Sequence, residues 1–129
     1  SAAAAPVAGD WQGLEFRNAV DPATAIDHAA IQYAGGASFS VGVCESDPAS
    51  HSLKEDSAIL ISLVANSVPA AFVTNTAISD SANAGIYRGW SPTAVDFVPT
   101  NTFTRVPGCL ESNVPNASNT CPATTCPIN

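Results

Sequence analysis

Apolar residues recur with a spacing of five at several places along this chain. The pairs are Ile26 and Ile31, Ile59 and Val64, Val73 and Ile78, and Val98 and Phe103. This spacing matches neither the alternation of a single strand nor the i, i+3, i+4, i+7 stripe of a helix. A strand that ends on an inward residue, bends at a small or polar corner and begins again on an inward residue does produce it. The pattern therefore predicts pairs of short strands that meet at corners.

A second repeated unit is a glycine that opens a short, apolar-containing strand. It occurs at Gly13, Gly42, Gly85 and Gly108. The intervals fit the range of about 20–50 residues expected of stacked repeats when loops are inserted. The most obvious insertion is the polar, charged segment at residues 45–56, ESDPASHSLKED. The clearest single repeat is residues 70–90, AAFVTNTAISDSANAGIYRGW, with a corner predicted at Asn75.

Residues 57–71, SAILISLVANSVPAA, have two interpretations. Ser57 is a suitable helix N-cap, and the segment is long enough for a helix. However, Ile59, Ile61 and Val64 are β-branched, and Pro69 blocks a helix from continuing. These features favour strand over helix.

Four motifs resemble the right-handed parallel β-helix repeats of bacterial secreted and surface proteins. They are WQGLEF, AIDHAAIQYAGG, AAFVTNTAISDSANAGIYRGW and AVDFVPTNTF. The resemblance covers about residues 10–110 and implies an all-β fold, a short right-handed parallel β-helix (solenoid) of about three to five coils. The expected organisation is an N-terminal extension at residues 1–9, a solenoid at 10–112 and an irregular, disulfide-bearing tail at 113–129. The exact register between residues 44 and 72 stays open.

Charge and hydropathy narrow the range of partners. The chain has 129 residues and a net charge of -7, with four Lys and Arg against eleven Asp and Glu. Nucleic acids and anionic membrane surfaces require clustered cations, so neither is expected as a partner. No apolar run approaches the ~20 residues that a membrane-spanning helix needs.

The cysteines point to an oxidising compartment. Cys44, Cys109, Cys121 and Cys126 form an even set, and three of them lie in or near the Pro-rich C-terminal region. No zinc pattern is completed around them, so disulfides are favoured over a metal site. Four cysteines allow three pairings, and the sequence does not choose among them. The expected location is extracellular, on the cell surface or periplasmic, and no cofactor is expected.

One candidate catalytic cluster comprises His28, Asp27 and Arg17. The resemblance extends to polysaccharide lyases, which abstract a proton from a uronic acid with such groups. The alternative is that His28 is an outward polar residue between Ile26 and Ile31, and this structural interpretation is favoured. A cation site around His51 in the polar insertion is likewise less favoured than a solvated loop, because its spacing matches no metal motif.

The residues most suggestive of binding are Tyr87, Arg88 and Trp90. Aromatic side chains on a flat β-face stack on sugar rings, and an arginine lies between these two. The alternative is that the aromatics pack in the core or, as expected of Trp11, cover the end of the first coil. Asn75 and Asn101 are interpreted as structural corner residues.

The leading functional hypothesis is a non-catalytic extracellular solenoid module for surface structure, adhesion or end-to-end self-assembly into oligomers or filaments. A short stack buries a continuous core only if its ends are covered, by the terminal segments or by another copy. The alternative is a lyase-like or carbohydrate-binding domain whose partner is a glycan. The question of an enzyme stays open, with a non-catalytic role favoured.

Overall fold

The computed structural model describes residues 4–36, 44, 56–62, 68, 70–89, 95–118 and 120–129. The regular structure of these residues is all-β apart from one 3₁₀ helix, Val98–Thr100. The strands are β1 (Leu14–Arg17), β2 (Ile26–Asp27), β3 (Ala30–Gln32), β4 (Ser57–Ser62), β5 (Val73–Thr74), β6 (Ala77–Ser79), β7 (Ala84–Gly89) and β8 (Thr102–Thr104). The predicted all-β class is therefore confirmed.

The strands form three parallel sheets. Sheet one has the order β1-β4-β7, sheet two pairs β2 with β5, and sheet three has the order β3-β6-β8. Each sheet thus takes its strands from successive passes of the chain. We call β1–β3 the first layer, β4–β6 the second layer, and β7, the 3₁₀ helix and β8 the third layer.

The five-residue spacing corresponds to corners between sheets two and three. Ile26 pairs with Val73 in sheet two. Ile31, Ile78 and Phe103 stand in register in sheet three. The third layer differs, because Val98 lies in the 3₁₀ helix instead of a strand. Val64 lies outside the described residues.

The core contains one phenylalanine from each layer. Phe72 packs edge-to-face against Phe16, with ring centroids 5.0 Å apart, and against Phe97, with centroids 5.7 Å apart. Such pairs add about 0.5–1.5 kcal/mol each beyond the area they bury. The three rings connect the layers through the interior, together with the aliphatic columns around Ile59 and Ile78.

Strand β4 is buried on both faces, and every residue from Ser57 to Ser62 is buried. Its inward side chains belong to the main core. Its outward Leu60 joins a second cluster with Ala84, Tyr87, Cys109 and Cys126. The C-terminal segment thus covers the outer face of sheet one. Residues 57–62 confirm the preference for strand over helix, and residues 63–67 lie outside the described part.

Glycines stand where adjacent layers approach most closely. A Cβ added to Gly13 would lie 2.5 Å from the carbonyl oxygen of Ala58, and one added to Gly85 would lie 2.5 Å from that of Leu110. Real Cβ atoms do not approach so closely, so any side chain at either position would displace backbone. This close approach gives a physical reason for the repeated glycine in the sequence. Gly42 lies outside the described residues.

Two disulfides fasten the C-terminal segment, which confirms the predicted use of all four cysteines. They join Cys44 to Cys121 and Cys109 to Cys126. Beyond β7, the amides of Gly85 and Ile86 donate to the carbonyls of Cys109 and Leu110. Residues 109–112 therefore extend sheet one past the third layer.

Candidate functional site

The three sheets end together at the first layer. Strands β1, β2 and β3 are each terminal in their sheet. Their side chains Leu14, Phe16 and Ile26 are only partly buried, whereas the second-layer residues that pair with Leu14 and Phe16, Ile59 and Ile61, are fully buried. We call this surface the first-layer end. Within the described part of the chain, it presents three parallel strand edges and the top of the aromatic and aliphatic core.

Hydrogen bonding fixes which backbone groups face outward at this end. In a parallel ladder, alternate residues bond to opposite sides. The amides of Ile26 and His28 donate to β5, so the peptide groups of Asp27 face away from it. In β3, the carbonyl of Ala29 and the amide of Tyr33 bond to β6. The backbone N–H and C=O groups of Ala30 and Gln32 therefore face away from β6.

Trp11 lies over one corner of this end. Its indole Nε1 donates to the carbonyl of Gln32 at 2.7 Å, while 40% of the residue stays exposed. The preceding chain is also attached there, because the Gly9 amide lies within hydrogen-bond distance of the carbonyls of Tyr33 and Ala34. Trp11 thus contacts the end of the first layer, where the sequence analysis placed it. It protects a single outward carbonyl of β3.

The opposite end is covered differently. The amide of Leu110 donates to the carbonyl of Pro127, and the Cys109–Cys126 disulfide holds that segment in place. Beneath β5, the amide of Asn75 donates to the carbonyl of Thr100. Among the described residues, the two ends of the stack are therefore unequal, since the C-terminal segment covers part of one.

The candidate catalytic residues lie at the first layer. Asp27 Oδ1 accepts hydrogen bonds from Thr74 and Asn75, and its Oδ2 lies 2.8 Å from Nδ1 of His28. Arg17 Nε donates to Glu15 at 2.6 Å on strand β1. Asp27 and His28 therefore come together, while the described ion pair of Arg17 is with Glu15.

The electrostatics of this cluster favour a structural role. Hydrogen bonds from Asn75, then Thr74 and His28, lower the pKa of Asp27 to about 2. A carboxylate stabilised this strongly is a weak base near neutral pH. His28 adopts a left-handed conformation, with φ of 52°, at the corner that follows β2. We interpret the cluster as a connection between the first and second layers.

The structure buries Tyr87 and Arg88, two of the three residues most suggestive of binding in the sequence. Tyr87 is 1% exposed, and its hydroxyl accepts a hydrogen bond from Asn83. Arg88 is 6% exposed. Neither side chain presents a surface to a sugar, because the C-terminal segment covers Tyr87 and Arg88 is turned inward. Trp90 lies outside the described residues.

Arg88 belongs to a buried polar network that the sequence did not indicate. Its Nε donates to the carbonyl of Ser112 at 2.6 Å, and its Nη1 donates to that of Val95 at 2.8 Å. The same Nη1 lies 3.2 Å from the Glu111 carboxylate, which also accepts from the Phe97 amide at 2.8 Å. Burial raises the pKa of Glu111 to about 7, although Phe97 and Arg88 oppose the shift.

The two asparagines act by different means. Asn75 occupies a left-handed corner, with φ of 48°, as the sequence predicts. Asn101 has an extended backbone and uses its side chain instead. Its Nδ2 donates to the carbonyls of Val73 and Phe97, and its Oδ1 accepts from the Thr76 amide. Asn101 therefore supplies bonds that a further strand of sheet two would otherwise make.

A column of left-handed residues marks the corner after sheet three. Tyr33, Asp80 and Arg105 follow β3, β6 and β8, with φ values of 59°, 55° and 51°. The Tyr33 amide donates to the Ser79 carbonyl, and the Asp80 amide donates to the Thr104 carbonyl, so the corners are stacked. Of these three residue types, only Asp is enriched in the left-handed region. No pattern in the sequence indicated this column, although one member follows each strand of sheet three.

Neither a metal-binding cluster nor a membrane-spanning helix is found among the residues that the structure describes. Within the described part of the chain, no group of three or more His, Cys, Asp or Glu residues is placed to hold a metal ion. The insertion around His51 lies outside that part. No helix among the described residues is long and apolar enough to cross a membrane.

Comparison of the chain with protein-family models, with curated proteins and with solved structures found no match.

Proposed function

We propose that this chain is a non-catalytic, extracellular β-solenoid module that assembles with a second copy through the first-layer end. The observation that carries the proposal is that, among the residues that the structure describes, all three sheets terminate on the same side, at β1, β2 and β3. Terminal strands offer unpaired peptide groups to a partner strand. The occupant best matched to three short parallel edges is another molecule with the same three edges.

The sheet topology supports the solenoid part of the proposal. Successive layers contribute one strand to each sheet, and the register advances without reversal. A right-handed connection is the general rule for parallel strands in one sheet. We therefore take the three sheets to be faces of a short right-handed parallel β-helix. Two disulfides are typical of an oxidising, extracellular or periplasmic environment.

The unequal ends favour a pair over a filament. Head-to-tail growth requires two complementary open ends, but the C-terminal segment covers part of one. Two copies that meet at their first-layer ends form a closed, two-fold pair instead. If β1 strands pair antiparallel about Phe16, Glu15 of each copy faces Arg17 of the other. Opposite charges on facing strands stabilise such pairing.

The first experiment measures molar mass by size-exclusion chromatography with light scattering over a range of concentrations. The wild type is expected to shift toward dimer as concentration rises. Ala30→Pro should shift the population to monomer, because proline removes an outward N–H and its ring obstructs the edge. Ala30→Ser is the matched control, since it keeps that N–H and should dimerise normally. A wild type that stays monomeric at every concentration refutes the proposal.

A charge exchange tests the two-fold arrangement. Glu15→Arg places like charges opposite each other across the pair and should weaken dimerisation. Adding Arg17→Glu in the same chain restores opposite charges and should recover it. Dimerisation that is equally weak in the single and double variants would contradict antiparallel β1 pairing. Mixing the Glu15→Arg and Arg17→Glu chains should also recover dimerisation, although neither chain then keeps its own Glu15–Arg17 pair.

A further inference from the structure

A cavity of about 660 Å³ lies beside the corner that follows sheet three. Its lining comes from all three layers: Ala8 precedes the first, Ala82 follows β6 of the second, and Pro107 follows β8 of the third. The volume falls within the range of about 300–1,000 Å³ typical of small-molecule sites. The cavity is open to solvent, and it lies away from the three terminal strands of the first-layer end.

One wall of the cavity carries a fixed ion pair. Arg105 donates to Asp80 from both Nε and Nη2, the latter at 2.7 Å. Both residues occupy left-handed corners in adjacent layers, so the stacked backbone positions them directly. The Arg105 side chain remains 66% exposed, and its Nη1 makes no hydrogen bond to any residue that the structure describes. The Asp80 side chain is 17% exposed, and each of its oxygens accepts one bond from Arg105, so the pair presents an exposed donor beside a mostly covered carboxylate.

The hydrogen bond from Arg105 keeps the Asp80 pKa below its ordinary value. Asp80 therefore stays ionised near neutral pH, and the net charge of the pair is zero. A bidentate guanidinium–carboxylate contact also restricts both side chains geometrically. This wall therefore has polar groups in fixed positions, and overall it attracts neither anionic nor cationic ligands.

Apolar residues form another part of the lining. They include Phe103, Pro107 and Val106, of which Val106 is buried. The Phe103 ring is fixed against Gly85, where an added Cβ would lie 2.7 Å from it. Phe103 is partly exposed at this point. Partly exposed apolar side chains give the C–H face of a sugar ring a surface to pack against.

We propose that this cavity binds a neutral carbohydrate, a hexopyranose unit of an oligosaccharide. Sugar hydroxyls both donate and accept, so adjacent hydroxyls match Arg105 and Asp80 together. An anionic ligand would use Arg105 but would face the Asp80 carboxylate and a chain of net charge -7. A cationic ligand would face Arg105. The neutral class is the one for which both groups are attractive.

The test is titration of isotope-labelled protein with maltotriose, cellotriose and mannotriose, followed by NMR of backbone amides and arginine side chains. At least one trisaccharide should shift the signals of Asp80, Arg105 and their neighbours. Arg105→Lys loses the planar fork and should weaken that binding by about tenfold, the effect of one charge-assisted hydrogen bond.

Three outcomes overturn the proposal. One is the absence of shifts near Arg105 with every trisaccharide. A second is equal binding by wild type and Arg105→Lys, and a third is tighter binding of trigalacturonate than of any neutral trisaccharide. Asp80→Asn provides a second variant, which removes the carboxylate acceptor while keeping the size of the side chain. Asp21→Asn is the matched control for Asp80→Asn, because Asp21 is an exposed aspartate that does not line this cavity. It should leave binding unchanged. These measurements do not depend on dimerisation, so failure of either proposal leaves the other testable.

Discussion

The folding stability of this protein should depend on pH through one buried carboxyl group, that of Glu111. Replacing Glu111 with glutamine should remove most of that dependence. Glu111 is 4% exposed and is partnered by the Phe97 amide and Arg88. The Arg88 contact is at 3.2 Å from Nη1, which also donates to the Val95 carbonyl, while Nε donates to the Ser112 carbonyl. Desolvation therefore prevails, and nearby Asp96 adds to it by raising the Glu111 pKa further.

The magnitude follows from the difference in pKa between the folded and unfolded states. The folded value is about 7 against an ordinary 4.5, and each unit corresponds to about 1.36 kcal/mol. Glu111 binds its proton more tightly in the folded protein. Its contribution is therefore complete below pH 4.5 and is lost as pH rises through 7. The wild type should lose about 3 kcal/mol of unfolding free energy over this window.

The assay is urea denaturation of wild type and Glu111→Gln at several pH values from 5 to 8. The slope of unfolding free energy against pH should be markedly smaller in the variant, which cannot titrate at this position. All other ionisable groups are the same in both proteins, so the difference between the two slopes isolates Glu111. Asp27, with a pKa of about 2, is ionised throughout. Parallel slopes, or a wild type that becomes more stable above pH 7, would refute the reasoning.

Three further predictions concern the layers and their attachment. Gly85→Ala should lower the melting temperature by an amount equivalent to about 1–3 kcal/mol, because its Cβ meets backbone and the Phe103 ring; an unchanged melting curve would contradict the close approach. Asn75→Val should cost about 1–2 kcal/mol more than Asn75→Gly in chemical denaturation, because valine resists the left-handed conformation. If the two variants lose the same unfolding free energy, the loss comes from the side-chain hydrogen bond of Asn75 to Asp27 instead. Replacing Cys109 and Cys126 together by serine should cost about 3 kcal/mol, given a separation of 17 residues, and the same denaturation assay under non-reducing conditions detects it.

Local patterns predicted much of the strand arrangement. The spacing of Ile26 and Ile31 and that of Val73 and Ile78 each correspond to two strands about a corner. The left-handed conformation of Asn75 follows from the chemistry of its side chain, which tolerates that backbone. These features depend on residues close in sequence. A sequence pattern therefore carries them directly.

Features that depend on distant residues were not predicted. Arg88 follows Tyr87, which the sequence suggested was exposed. No neighbouring residue in the sequence indicates that Glu111 is the partner of Arg88. Tyr87 is buried because a segment some 40 residues later covers sheet one. The Asp80–Arg105 pair likewise requires the register of β6 with β8. Each depends on which strands lie side by side, and a single sequence does not specify that in advance.

Parallel stacking also governs how quickly this chain folds. Residues in contact between neighbouring layers are far apart in sequence, for example 47 positions for Asp27 and Thr74 and 25 for Thr76 and Asn101. Each new layer must close a loop of this length before its strands gain any hydrogen bond, and such topologies fold slowly for their size. Meanwhile the β-branched strand β4, which is buried on both faces in the finished molecule, stays accessible to other chains. A low concentration of newly synthesised chains and early formation of the disulfides therefore favour correct folding over aggregation.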